Sequence, residues 1–326
     1  MNKTLYLATS SGVMISADAG ESWQNASRSL DGNAITCIAA QDGIVLAGTR
    51  DGVYRSTDLG LSWEAPEVKP DIPHLRWLSF HPNRAGLAFA GTEPAGIFVT
   101  HDGGKTWRSC PEVIQLRQRH HWSLPYSPEA GCIRGLAFHG RRAYAAAEVG
   151  GVLVSDDLGE SWRMAEGSRG DPGAFPQPSF IHADVHSIDV HPSSWERVAA
   201  PTGGGFFASM DGGASWTNYY RCYCRAVWLD PDNPEHMILG PASSVDRDGR
   251  IEETWDGGLI WQDASTGLAT PWRNHMVERF AQVDDLLYAV LSNGELIATS
   301  LAKITWKSIL PAATGVHALT FLVSGG

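Results

Sequence analysis

Seven segments of this chain open on one pattern, apolar, polar, variable, apolar, and the polar position is where chemistry would sit. They begin Ile35-Thr36, Leu75-Arg76, Ile133-Arg134, Val185-His186, Cys224-Arg225, Val277-Glu278 and Val316-His317. Side chains alternate along a strand. Seven equivalent strands around an axis would therefore gather Thr36, Arg76, Arg134, His186, Arg225, Glu278 and His317 into one polar ring at a channel mouth. Three arginines against the single ring carboxylate of Glu278 leave surplus positive charge, and guanidinium forks suit planar oxyanions. Arg76, Arg134 and Arg225 are thus candidate binders of a small carboxylate, phosphate or sulfate, with His121 and Tyr223 from neighbouring loops beside them. The plainer account is a water-filled channel in which Glu278 pairs with an arginine.

Histidine adds a second possibility. Seven of the 12 histidines fall at the expected mouth: His74, His120, His121, His182, His186, His275 and His317. His182 and His186, with Asp184 between them to orient an imidazole, make a divalent metal site with His317 one expectation, and Zn, Fe, Ni or Cu all accept imidazole. The His-x-x-x-His spacing shares a face only on a helix; on a loop and strand start the simpler account is a hydrogen-bonded pair. Glu148 stands where Thr9, Thr49, Thr92 and Thr202 stand in sibling units. A carboxylate there, with His186, Glu278 and His317, supplies candidate acid and base groups for hydrolysis or elimination.

The elements that must position these groups announce themselves by repetition. Ser16 to Trp23 reads S/T-x-D-x-G-x-x-W, and it returns at Ser56 to Trp63, Thr100 to Trp107, Ser155 to Trp162, Ser209 to Trp216 and Thr254 to Trp261. A seventh copy, Thr299 to Trp306, keeps Thr305 and Trp306 but has Leu301 and Lys303 in place of the Asp and Gly. Steps between the tryptophans are 40, 44, 55, 54, 45 and 45 residues, a period that signals repeated sheet units. Within each copy, Asp and Gly make a tight turn between a short apolar strand and its return.

This pattern resembles the Asp-box, or BNR, repeat of sialidases, sortilin-type propellers, xyloglucan-cleaving glycosidases and the photosystem II assembly factor family. The resemblance implies an all-β, seven-bladed β-propeller of four-stranded antiparallel blades spanning residues 1–326 as one domain. It leaves function open, because those families do different things. Sialidases grip a carboxylate with three arginines, which Arg76, Arg134 and Arg225 imitate in type. They have six blades, however, and their Tyr nucleophile, Glu partner and Asp find no placed counterpart here.

The last apolar strand, Val316 to Val323, has no blade of its own to finish and is expected to pair beside Leu5 to Thr9, closing the ring. His81 and His191, each before a proline, read as turn residues. Two connections, Cys110 to Gly131 and Ala165 to Val185, exceed what folding requires and are expected to be lids or binding loops.

Composition narrows the partners. A formal net charge of -11 and the lack of a basic run argue against nucleic acid, and no apolar stretch is long enough to span a membrane as a helix. Five scattered cysteines make no disulfide framework and, with an N-terminus that reads straight into a hairpin, suggest a cytoplasmic protein. The leading expectation is an enzyme acting on a small anionic molecule in the central funnel. The alternatives are a non-catalytic scaffold that holds a protein partner through its rim loops, and a sialidase-like glycosidase.

Overall fold

Each Asp box closes a hairpin by the same set of hydrogen bonds. In the first, the Ser16 hydroxyl donates to the Asp18 carboxylate at 2.7 Å and accepts from the Gly20 N–H at 2.9 Å. The Ser22 N–H donates to Asp18 at 2.9 Å. Donors from Ser16 and Ser22 favour the carboxylate and pull Asp18 down to about 2. The bonding recurs around Asp58, Asp102, Asp157 and Asp211. In the sixth box, Ile260 replaces the hydroxyl residue and keeps only its backbone bond to Asp256. The seventh box dispenses with the Asp: the Thr305 N–H finds the Thr299 hydroxyl at 2.8 Å instead.

Two of the box tryptophans fasten blade to blade by hydrogen bonds. Trp63 is 5% exposed and its indole N–H reaches the Ala26 carbonyl of the preceding blade at 2.7 Å, and Trp306, 1% exposed, reaches Ala264 likewise at 2.9 Å.

In this computed structural model, which describes residues 3–30, 33–65, 71–124, 126, 130–171 and 177–323, the hairpins assemble into seven antiparallel sheets. The first blade joins the two ends of the chain in the order Val316–Val323, Lys3–Thr9, Gly12–Ser16, Gln24–Asn25. The closing strand runs antiparallel from Lys3 opposite Val323 to Thr9 opposite Val316, as expected. Five further blades have four strands, with inner strands His74–Phe80, Cys132–His139, Asp189–Val190, Tyr223–Leu229 and Val277–Val283. The second has Cys37–Gln41, Ile44–Gly48 and Val53–Ser56, and its outer strand shrinks to one bridge between Arg55 and Glu64. Each inner strand packs against the inner strands of both neighbours, and this succession closes on itself.

The inner strands are not regular where the polar ring begins. Leu75 faces Thr92 while Trp77 faces Gly91, which leaves Arg76 as an extra residue. Arg134, Glu278 and His317 are extra in the same way, and Arg225 with Ala226 faces only Gly240. Both faces of an inner strand lie against neighbouring blades, so plain alternation would wedge these charges between sheets. A bulge bends the strand and re-aims the side chain, here toward the axis. It also brings neighbours very close: a Cβ on Gly135 would lie 2.9 Å from the Ile188 nitrogen, so only glycine fits.

The two long connections are largely structural rather than free lids. The first contains the helix α1, Pro111–Arg119, and the fully buried Trp122, which sits in a cluster with Ala95, Cys110 and Val113. The Trp122 indole N–H donates to the Gly170 carbonyl of the second long connection at 2.8 Å, so one loop anchors the other. His81 and His191 are turn residues that also bond across blades, to the Gly140 and Asp230 carbonyls, each at 2.9 Å.

Two substitutions separate turn from core. Asp102→Ala removes the acceptor of four hydrogen bonds and is expected to cost about 1 to 2 kcal/mol. Trp306→Ala empties a core site and is expected to cost about 3 to 5 kcal/mol. Urea unfolding of both variants checks the order, and equal losses would mean that the boxes hold more than their own turns.

Candidate functional site

The ring of polar residues converges on a hollow of about 520 Å³ lined by Thr36, Arg76, Arg134, Arg225, Glu278 and His317, with His74, Tyr126, Glu148 and Arg279. Its carboxylates and the ring arginines Arg76, Arg134 and Arg225 are paired. Glu278 bridges Arg134 at 3.0 Å and Arg225. Glu148 takes the other end of Arg134 at 3.3 Å, and Glu93 takes Arg76 at 3.3 Å. Burial alone would push Glu278 up, but Arg134 and Arg225 outweigh it and hold this carboxyl below its usual range. Arg134 is raised despite its burial, because Glu148 and Glu278 both favour its charge.

The surplus of positive charge expected from the ring is therefore largely cancelled by carboxylates that the ring itself does not contain. Glu93 and Glu148 come from the ends of second strands. In Thr9, Thr49, Thr92 and Thr202 the hydroxyl turns back to a carbonyl of the following turn. Glu148 holds no such turn bond and reaches Arg134 instead. That is the physical meaning of the outlier at 148.

Arg279 was visible in the sequence as the one charge in the third column of the inner strands, otherwise Cys37, Trp77, Gly135, Ser187, Ala226 and Ala318. Its guanidinium lies 4.0 Å from the Trp77 ring centroid and donates to the Arg76 carbonyl at 3.1 Å. Among the described residues no carboxylate is within ion-pair distance of it, and burial brings its pKa down to about 10. His74, by contrast, is held neutral, lowered to about 4 by burial and then by Arg76.

A second cluster occupies the wall between this hollow and a groove of about 580 Å³, lined in part by Arg169, Phe180, His182, Asp184 and Arg221. The His186 side chain is 0% exposed. Its Nδ1 lies 2.8 Å from the Cys224 carbonyl, and its Nε2 lies 3.2 Å from Asp184 and 3.3 Å from the Tyr223 hydroxyl. Asp184 is lowered: burial opposes ionisation, but the bond and charge from His186 prevail, with His182 and Arg134 adding to them. Tyr223 is raised by burial, and its oxygen also accepts from Arg225 at 3.2 Å.

The expected metal set of His182, His186 and His317 does not assemble. His182 lines the groove, where its Nδ1 accepts from the Asp184 N–H at 3.1 Å, whereas His317 lines the channel and meets the Ser10 hydroxyl at 3.1 Å. Among the described residues, the group whose ligand atoms come within 4.8 Å of one another is Glu148, Asp184 and His186. His121 is exposed beyond the end of α1, with φ at 51°, and is not among the residues lining either hollow. Glu148, Arg134, Arg225, Glu278, His186 and Tyr223 do come together.

The fold and its hairpins define a seven-bladed propeller of Asp-box repeats. Residues 98–109 match the BNR/Asp-box repeat family. The chain is similar to the oligoxyloglucan-reducing end-specific xyloglucanase of Emericella nidulans, 26% identical over 242 residues, which covers 69% of this chain and 26% of that enzyme. It thus spans about a quarter of the length of this curated relative. In structure it is similar to an ancestral GH74 enzyme, with a TM-score of 0.62 and 17% identity over 88% of this chain and 38% of that one. YCF48 bound to D1 peptide gives a TM-score of 0.62 and 17% identity over 90% and 89%.

These findings correct the expected substrate. The curated relative is by name an enzyme of an oligosaccharide, not of a small anionic molecule, and the arginines that suggested an anion are occupied by Glu93, Glu148 and Glu278. Metal-assisted or elimination chemistry on such an anion falls with it.

Removing Arg134 leaves Glu148 without its ion-pair partner and Glu278 with Arg225 alone. Arg134→Met is expected to cost about 3 to 5 kcal/mol in urea unfolding, and adding Glu148→Gln to restore part of the loss. A single variant as stable as the parent would mean that water, not Arg134, neutralises the channel.

Asp189 tests the channel wall through pH. Half-buried, with the Val190 N–H as partner at 2.8 Å, it is raised by burial from 3.8 to about 6. A raised folded pKa favours the protonated form, so its contribution is full below 3.8 and lost as pH rises through about 6. Asp189→Asn is therefore expected to stabilise the fold at pH 7 by up to about 2 kcal/mol, with the gain vanishing below about pH 4. Melting curves from pH 3 to 8 decide it; a gain that does not change with pH would rule out the titration.

Proposed function

We propose that this propeller is a hydrolase of the glycosidase class that takes an oligosaccharide across the mouth, from the groove into the channel. The observation that carries the reading is a carboxylate pair. Glu148 lines the channel, Asp184 lines the groove, and oxygens of the two lie within 4.8 Å. Glycosidases work with two carboxyl groups flanking the scissile bond, and a separation of about 5 Å is the short, retaining arrangement in which one of them attacks the sugar carbon directly. In this reading Asp184, kept ionised by its neighbours, is the nucleophile, and Glu148 is the second carboxyl, which hands a proton to the leaving oxygen once its pair with Arg134 opens. Phe180 offers an apolar face in the groove, and the guanidinium of Arg169 stacks over it at 4.4 Å. The similarity to a xyloglucanase supports the substrate class.

A rim scaffold is the second reading. It is favoured by three exposed apolar side chains around the sixth Asp box, Trp255 at 55%, Leu259 at 74% and Ile260 at 62%.

Release of reducing ends from xyloglucan oligosaccharides and other neutral oligosaccharides, followed in chelator by chromatography, tests the proposal. Glu148→Gln and Asp184→Asn are each expected to lower kcat at least 10³-fold, roughly the loss of a general acid or a nucleophile, at a temperature where circular dichroism shows both variants folded. No wild-type turnover on the series, or undiminished turnover in both variants, would overturn the glycosidase reading and leave the scaffold.

A further inference from the structure

We infer that Glu148, Asp184 and His186 bind one divalent transition-metal cation, of the zinc type, and that its binding removes the carboxylate pair from catalysis. The inference starts from the imidazole. A carbonyl only accepts, so the 2.8 Å contact with Cys224 places a proton on Nδ1 of His186. In the neutral ring Nε2 then carries a lone pair, and that lone pair lies 3.2 Å from a carboxylate oxygen of Asp184, a second acceptor. Two acceptors at that distance require a cation between them, either a proton or a metal ion. An imidazole whose far N–H is fixed by a backbone carbonyl is the usual posture of a metal-ligating histidine.

Two further observations favour the metal. The other oxygen of Asp184, Oδ1, is buried with no hydrogen-bond partner, so the carboxylate is not satisfied by the protein alone. Glu148, 7% exposed, occupies a strand end where siblings use threonine to hold a turn, and it completes a set of three ligand atoms within 4.8 Å. Ligands around zinc at bonds of about 2.1 Å sit roughly 3.4 Å apart, so side-chain shifts of about an ångström close the site. One imidazole and two carboxylates suit a borderline cation such as zinc, and the Tyr223 hydroxyl lies 3.3 Å from Nε2 on the same side. Arg134, on one oxygen of Glu148, faces the site, opposes a cation and sets a limit on affinity, whereas His182 presents a neutral imidazole.

The binding stands on these residues alone, whereas its effect on turnover rests on the glycosidase reading. The test uses the whole chain, free of affinity tag and stripped with chelator. Calorimetry with zinc chloride is expected to give one equivalent bound at micromolar Kd or tighter, and cobalt(II) to give the visible bands of a low-coordinate site. His186→Ala and Asp184→Asn should each weaken zinc at least 100-fold and abolish the bands, while His317→Ala leaves both unchanged. Absence of heat and of bands with the folded wild-type chain, or full binding by His186→Ala, would overturn the site and leave a proton between His186 and Asp184. Zinc binding in a chain that hydrolyses no oligosaccharide would retain the metal and remove the glycosidase, whereas hydrolysis without zinc binding would do the reverse. If both hold, zinc inhibits and chelator restores turnover.

Discussion

A ring of sheets holds shut only if its first and last blades are tied together, and in this molecule the two ends of the chain do so by sharing one blade. Val316–Val323 supplies the inner strand of the blade that Lys3–Thr9 begins. Without that pairing the Lys3–Thr9 strand would present unpaired N–H and C=O groups to water. The first and seventh blades would also lose the contacts joining Leu5, Leu7 and Val316 to Tyr288, Val290 and Leu296. Closure also sets the channel. Seven inner strands packed side by side leave a hole at the axis, and whatever lines that hole must satisfy its own charge.

The bulges answer that demand. An arginine or glutamate that followed the alternation of its strand would be buried between blades, where an unpaired charge costs several kcal/mol. One extra residue at the start of the strand turns it to the axis, where Arg134, Arg225 and Glu278 neutralise one another with help from Glu148. The polar ring is thus a consequence of how the strands begin, and bulges of this kind recur beside functional sites.

Much of this was legible in the residues. The Asp boxes counted the blades because a turn needing Asp and Gly at fixed offsets cannot be disguised, and the seventh was readable through Thr305 and Trp306 even without them. The columns of the inner strands displayed the ring. What could not be read was pairing across the ring. Glu278 reaches Arg134 over 144 positions of sequence and Arg225 over 53, and no local pattern encodes such partners. Glu93 was overlooked because it follows a threonine that fits its column. Histidine misled through abundance: His182, His186 and His317 share a face of the molecule but not a single point, and the companions of His186 are carboxylates. The long connections misled for another reason, since Trp122 reads like a binding aromatic until its burial beneath the second loop is seen.

Arg134 is the residue through which the two halves of the mouth communicate. One end of its guanidinium neutralises Glu278, and with it the channel charge; the other holds Glu148 beside Asp184 and His186. Glu148 and Glu278 are thereby tied into one network that draws on four blades, because the fork of one arginine fixes both distance and charge at once. Under the readings proposed above, a cation at His186 would compete with that same guanidinium for Glu148, and a sugar crossing from groove to channel would pass between them. A change at Glu148 therefore bears on Glu278 through the one guanidinium they share.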